Sequence, residues 1–118
     1  MRSGMRIFHI TQHSAWDAAQ RAGEYRAPWL RTEGFIHFST RDQVVRTANR
    51  FYRAQPDLVL LVVDPDRLDS ELRYEEADGD RFPHLYGALS LQAVIDVIPF
   101  SPEEDGTFTL PEAVQRLA

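Results

Sequence analysis

The sequence predicts an α+β fold: a single small domain built on a bent or split mixed sheet. Three observations predict it. Stretches with the two-residue period of strands recur at residues 6–11, 34–40, 72–76 and 93–99. An aliphatic run at 58–63 has the length and composition of a central strand. Helical spacings fall between these strands without the regular alternation of a doubly wound fold. With 118 residues, 43% of them hydrophobic and 26% charged, the chain suits one domain over 1–118 with a core large enough to fold without staples.

Residues 6–11 form the first strand, with Ile7, His9 and Thr11 on one face and Phe8 and Ile10 on the other. Ser14 is the expected N-cap of a short helix over about 14–22, striped by Trp16, Ala19 and Ala22 and ended by Gly23. Pro28 disfavours helix at Ala27, so 25–29 is expected to be irregular and 30–33 to lead into the next strand. That strand, 34–40, sets Phe35, His37 and Ser39 against Ile36 and Phe38. Both its faces are mostly apolar. Its histidine and serine therefore need partners or a pocket, because an unpaired buried polar group costs roughly 1–3 kcal/mol.

Ser39 or Thr40 caps the following helix, where Val44, Val45, Ala48, Phe51 and Tyr52 make an apolar stripe ending near Ala54. Pro56-Asp57 stops it ahead of the central strand. Asp64-Pro65-Asp66 is a turn, and 67–72 holds one helical turn. Residues 72–76 alternate as a strand and lead to a turn at 77–80 that contains Asp-Gly. Residues 82–87 are aromatic-rich and punctuated by Pro83 and Gly87. A strand at 93–99 is closed by Pro99, Asp105-Gly106 is a turn, and Thr109 with Pro111 starts a last helix.

Composition excludes several classes of function. There is no cysteine, hence no disulfide, thiolate metal site or cysteine nucleophile. The net charge of −5 argues against a general nucleic-acid binder, although Arg41, Arg46, Arg50 and Arg53 fall close together. No long apolar run is present, so neither a signal peptide nor a membrane span is expected, and the default location is cytoplasmic. A phosphate-binding glycine loop and a Gly-x-Ser-x-Gly elbow are both missing, which leaves a hydrolase built on Ser39, His37 or His84 and an aspartate without its usual turn.

The residues left to carry chemistry are histidines, carboxylates and tyrosines. His9, His37 and His84 lie in apolar or aromatic segments, whereas His13 lies in a polar turn. The three are either separate core residues or the lining of a shared cleft. Three histidines with a water form a known catalytic zinc arrangement, but no His-x-His or His-x-x-x-His pair supports it here. Glu75 and Glu76 are neighbours on a strand and face opposite ways, so one of them can face a cleft. Tyr74 and Tyr86 are suited to stacking on a planar ligand.

Taken together, Ile7-Phe8-His9-Ile10-Thr11, Trp16, Gly23-Glu24-Tyr25, Glu33-Gly34-Phe35-Ile36-His37-Phe38-Ser39, Gln43, Ala48-Asn49-Arg50-Phe51-Tyr52, the 58–64 strand, Arg73-Tyr74-Glu75 and Phe82-Pro83-His84-Leu85-Tyr86-Gly87 resemble the DUF952 family over about residues 6–100. That family is uncharacterised and is similar in fold to ADP-ribosyltransferase domains. The resemblance implies a cleft between two small sheets that holds NAD as substrate, with no metal. It implies catalytic roles for Glu75, His37 and His9. His9 would contact a ribose hydroxyl, His37 would pack on the nicotinamide, and Glu75 would stabilise the oxocarbenium-like transition state. Thr11, Ser39, Tyr74, His84 and Tyr86 would complete the nucleotide-binding wall. The acceptor would be a protein or an RNA. His37 stands where many relatives have tyrosine, and Glu76 competes with Glu75 for the carboxylate role. The alternatives are a non-catalytic nucleotide-binding or protein-interaction module, and a metal site of His9, His37 and His84.

Overall fold

The aliphatic run forms strand β4 (Leu58–Val63), buried on both faces. In the computed structural model, which describes residues 5–117, β4 lies between β1 (Ile7–Gln12) and β8 (Val94–Phe100) and is antiparallel to both. A strand with a core on either side has no place for polar side chains, which is why its sequence does not alternate. On one side Ile7, Leu61 and Val63 pack with Trp16, Tyr25, Ile36, Phe38 and Leu85. On the other, Phe8, Leu60 and Val62 pack with Val44, Ala48, Phe100 and Phe108.

A second three-stranded sheet has the order β3 (Ile36–His37), β6 (Asp80–Tyr86), β5 (Glu71–Ala77). The two-residue strands β2 (Glu24–Tyr25) and β7 (Leu89–Ser90) pair apart from it. The sheet is therefore split, as expected, but it is not mixed: all the described pairings are antiparallel. The stretch 34–40 is also not one continuous strand. After β3, the Phe38 amide donates to the Pro83 carbonyl at 2.9 Å, and Ser39 then exchanges two 2.8 Å backbone bonds with Phe8. The segment passes from the second sheet to the first and ties the two together.

The helices correct several expectations. α1 (His13–Ala22) starts one residue before Ser14, which therefore does not cap it; Gln12 holds the cap position without a side-chain bond. Where irregular chain was expected there is a helix, α2 (Pro28–Glu33). Proline in the first helical turn gives up an amide that has no partner there anyway. Gly34 ends α2 in the left-handed region at φ 86°, a conformation costly for other residues. Before α3 (Val44–Phe51), Gln43, not Ser39 or Thr40, holds the N-cap position, and its side chain accepts from the Thr40 amide at 3.0 Å. Phe51 is 55% exposed and so leaves the predicted buried stripe.

The turn after β4 is a 3-10 turn at Pro65–Arg67, and the following residues enter β5 without the helical turn expected at 67–72. The aromatic 82–87 segment is mostly strand, despite its proline. α4 (Glu112–Gln115) has Pro111, not Thr109, at its N-cap position. Among the described residues, no helix is long and apolar enough to cross a membrane.

Candidate functional site

The Asp78-Gly79 turn, with φ of 50° and 81°, closes the β5–β6 hairpin with two residues and fixes its register. Glu75 pairs with Phe82, Arg73 with His84 and Glu71 with Tyr86. Directly opposed residues share a face, so these six side chains lie together. β3 adds His37 opposite His84. The reverse face carries Ile36, Leu72 and Leu85 into the core.

On the outer face a polar cluster forms around Glu75. His84 Nδ1 lies 2.8 Å from Glu75 Oε1, and the Tyr86 hydroxyl donates to the same oxygen at 2.6 Å. The Phe35 ring stacks on His84 with centroids 4.1 Å apart and planes 19° apart, and it reaches Tyr86 at 5.3 Å. The His37 ring stands edge-on to His84 at 4.9 Å. His37 Nε2 is 3.0 Å from Glu33 Oε1. Arg73, bonded to both oxygens of Glu71, sits over the Tyr86 ring at 4.5 Å.

The Tyr86 hydroxyl, and after it His84, hold the Glu75 carboxyl below the usual carboxylate range. The same bond pushes the Tyr86 phenol up. An ionised Glu75 only accepts, so His84 Nδ1 donates to it. In the neutral ring, Nε2 then carries a lone pair. His84 is buried, and its Nε2 has no hydrogen-bond partner among the described residues. A carboxylate that orients an imidazole and leaves the second nitrogen unpaired is an arrangement able to accept a hydrogen bond or a proton.

Beside this cluster, a largely apolar cleft of about 400 Å³ runs between β1, α3 and the hairpin. His9, His37, Ser39, Phe51, Tyr52 and Phe82 are among its walls. The volume is in the range of small-molecule sites. His37 lines the cleft and touches the His84 ring, so the cleft and the Glu75 cluster adjoin.

His9 is held in a chain of hydrogen bonds. Its Nδ1 is 2.6 Å from the His37 carbonyl, and its Nε2 is 2.8 Å from the Tyr25 hydroxyl, which lies 2.9 Å from Thr11 Oγ1. Burial pushes the His9 pKa down from 6.5 to about 4, against the smaller opposing effect of the His37 carbonyl. The ring is therefore neutral at pH 7, with a single N–H. The carbonyl can only accept, so Nδ1 donates to it, and Nε2 accepts from Tyr25. The Thr11 hydroxyl is left to donate to the phenol oxygen. Burial also pushes the Tyr25 phenol up to about 12.

The structure thus gathers four of the sequence-predicted site residues, His37, Glu75, His84 and Tyr86. Ser39 lies in the adjoining cleft with its hydroxyl 3.2 Å from Thr47 Oγ1. Thr11 and His9 belong to the buried chain beneath. Tyr74 is opposite Pro83, on the reverse face from Glu75, and half-exposed. Glu76 pairs with Arg81 on that same reverse face, so Glu75 is the carboxylate on the outer side. The three-histidine metal site does not form, because both ring nitrogens of His9 are engaged. Among the described residues no group of three histidine or acidic side chains is placed to hold a metal ion. Sequence reasoning missed Phe35, Phe82 and Tyr25. The Asp-Gly turn was the signal for Phe82: counted outward from it, the hairpin register puts Phe82 opposite Glu75 and His84 diagonal to it.

A family described as a protein of unknown function, DUF952, matches residues 10–97. A crystal structure of protein CC0527 from Caulobacter crescentus is similar over 93% of this chain and 98% of its own, at 33% identity and a TM-score of 0.85. A double mutant of that protein gives 32% identity and the same TM-score. Its solution NMR structure gives 34% identity, coverage of 96% and 97%, and a TM-score of 0.78. No curated protein matches the chain.

Proposed function

The chain belongs to the DUF952 family, and from its geometry we propose that it is an ADP-ribosyltransferase-like domain that binds NAD or a closely related nucleotide. The observation that carries this reading is the junction at His37. There the wall of the apolar cleft touches the His84 ring, which with Tyr86 holds an ionised carboxylate, Glu75. An apolar cleft suits a planar ring. A fixed negative charge beside it suits the positive charge that develops when the bond from ribose to nicotinamide breaks. In this reading Glu75 faces the nicotinamide ribose, and His37 with Phe82 packs on the ring.

His9 takes a different part from the one the resemblance implies. Both its nitrogens are engaged, by the His37 carbonyl and the Tyr25 hydroxyl, which supports a part in positioning β3 in place of one at a ribose. The test is NAD binding followed by nicotinamide release. Binding with release identifies a transferase or glycohydrolase. Binding without release identifies a non-catalytic nucleotide module. Absence of binding overturns the reading.

A further inference from the structure

The buried His84 nitrogen has a use that the carboxylate chemistry leaves open. The two nitrogens of an imidazole point to opposite edges of the ring. Nδ1 is spent on Glu75, and Nε2 therefore addresses a different point from the one Glu75 addresses. In the neutral ring, with Nδ1 donating, Nε2 is an acceptor only. Its partner must bring a hydrogen, as a hydroxyl or an N–H group does; a carbonyl or phosphate oxygen cannot pair with it. Leaving such an atom buried and unpaired is costly, and the cost is removed when a ligand supplies the hydrogen.

The surroundings allow this without disturbing the core. The rings packed on His84 are Phe35, against its face, and His37, edge-on. Both are only partly buried, and Phe35 follows the Gly34 helix end directly. Leu85 and Ile36, on the reverse face, belong to the core.

We propose that His84 Nε2 is the second anchor of the site: it accepts a hydrogen bond from a donor group of the bound nucleotide. This rests on the nucleotide reading above. Three groups of NAD fit, a ribose hydroxyl, the adenine amino group and the carboxamide N–H of nicotinamide. ADP-ribose carries the first two and lacks the third.

The test follows the ¹⁵N signals of the histidine rings in the whole protein, free and then with NAD or ADP-ribose. In the free protein His84 is expected to show a protonated Nδ1 and an unprotonated Nε2. NAD is expected to move the Nε2 signal toward the protonated range. The same movement with ADP-ribose identifies a donor of the ADP-ribose part, a ribose hydroxyl or the adenine amino group, and movement with NAD alone identifies the carboxamide. A free protein with Nε2 protonated overturns the proposal. So does NAD binding that moves the His37 ring and leaves His84 Nε2 still, in which case the nucleotide reading survives. If NAD moves neither ring, the nucleotide reading falls and the anchor falls with it.

Discussion

His9 Nδ1 lies 2.6 Å from the backbone carbonyl of His37, so the buried histidine of β1 fixes the peptide that carries the half-exposed histidine of β3. The Thr11–Tyr25–His9 chain behind it is a strut between the strands. His9→Ala should remove the strut, open a cavity and leave the Tyr25 hydroxyl with one partner fewer. The expected loss is about 2–4 kcal/mol of unfolding free energy. Urea denaturation followed by circular dichroism measures it. A loss below about 1 kcal/mol would mean that the chain carries little of the fold.

Stability should fall on acidification in a defined window. The folded His9 pKa is about 4 against 6.5 when exposed. As pH drops through 6.5 the unfolded chain takes up this proton and the folded chain does not, so unfolding is favoured. The contribution is complete above pH 6.5 and is lost on the way down to about 4, for roughly 3 kcal/mol in total. Glu75, held below the ordinary carboxylate range, adds a loss of the same sign at lower pH. Urea midpoints at pH 7, 5.5 and 4 check the window. In His9→Ala the slope between 6.5 and 4 should flatten.

Gln43 clamps α3 to the hairpin. Its buried amide donates to the Arg81 carbonyl at 2.6 Å and to Asp80 Oδ2 at 3.1 Å, while its oxygen takes the Thr40 amide. Gln43→Ala should cost about 1–3 kcal/mol, since it orphans two backbone groups. It should also speed hydrogen exchange at the Thr40 amide. Unchanged exchange there would show that the clamp is dispensable.

Gly87 follows Tyr86 at φ 156°, and a Cβ built on it would fall 2.2 Å from Ser70 Oγ and 2.8 Å from Ser70 Cβ. Gly87→Ala must therefore push back the chain that enters β5. A destabilisation of about 1–3 kcal/mol is expected, with displaced amide signals for Ser70 and Glu71. Gly87→Ala combined with Ser70→Gly should recover most of the loss. If it does not, the backbone angle and not the clash is the cause.

The parts of this fold legible in the sequence are those dictated by local chemistry. Six aliphatic residues in a row make β4, the 7/9/11 alternation makes β1, and Gly23 ends α1. What was not legible depended on partners distant in the chain. β2 and β7 are two residues each and exist only because they meet one another. Pro28 reads equally as a helix breaker or as a first-turn residue, and Pro83 sits in a strand that its own sequence disfavours. Within the site, Glu75, His84, His37 and Tyr86 stood out singly as residue types. Their convergence is a matter of register, set by a turn. His9 stood out for the same reason as His37, yet the tertiary structure gives it a partner on each nitrogen. A histidine in an apolar strand does not reveal which of these it is until its neighbours are known.

The claim that most needs testing is that the face shared by His37, Glu75 and His84 takes a nucleotide. The direct measurement is a titration of the histidine ring signals with NAD, after treatment with a chelator. The account predicts that His37 and His84 shift together at sub-millimolar NAD while the exposed His13, paired with Asp17, stays still. Nicotinamide released in the same tube should disappear in Glu75→Gln, with the fold unchanged by circular dichroism. Ring signals of His37 and His84 that do not move at any NAD concentration up to the millimolar range would contradict it.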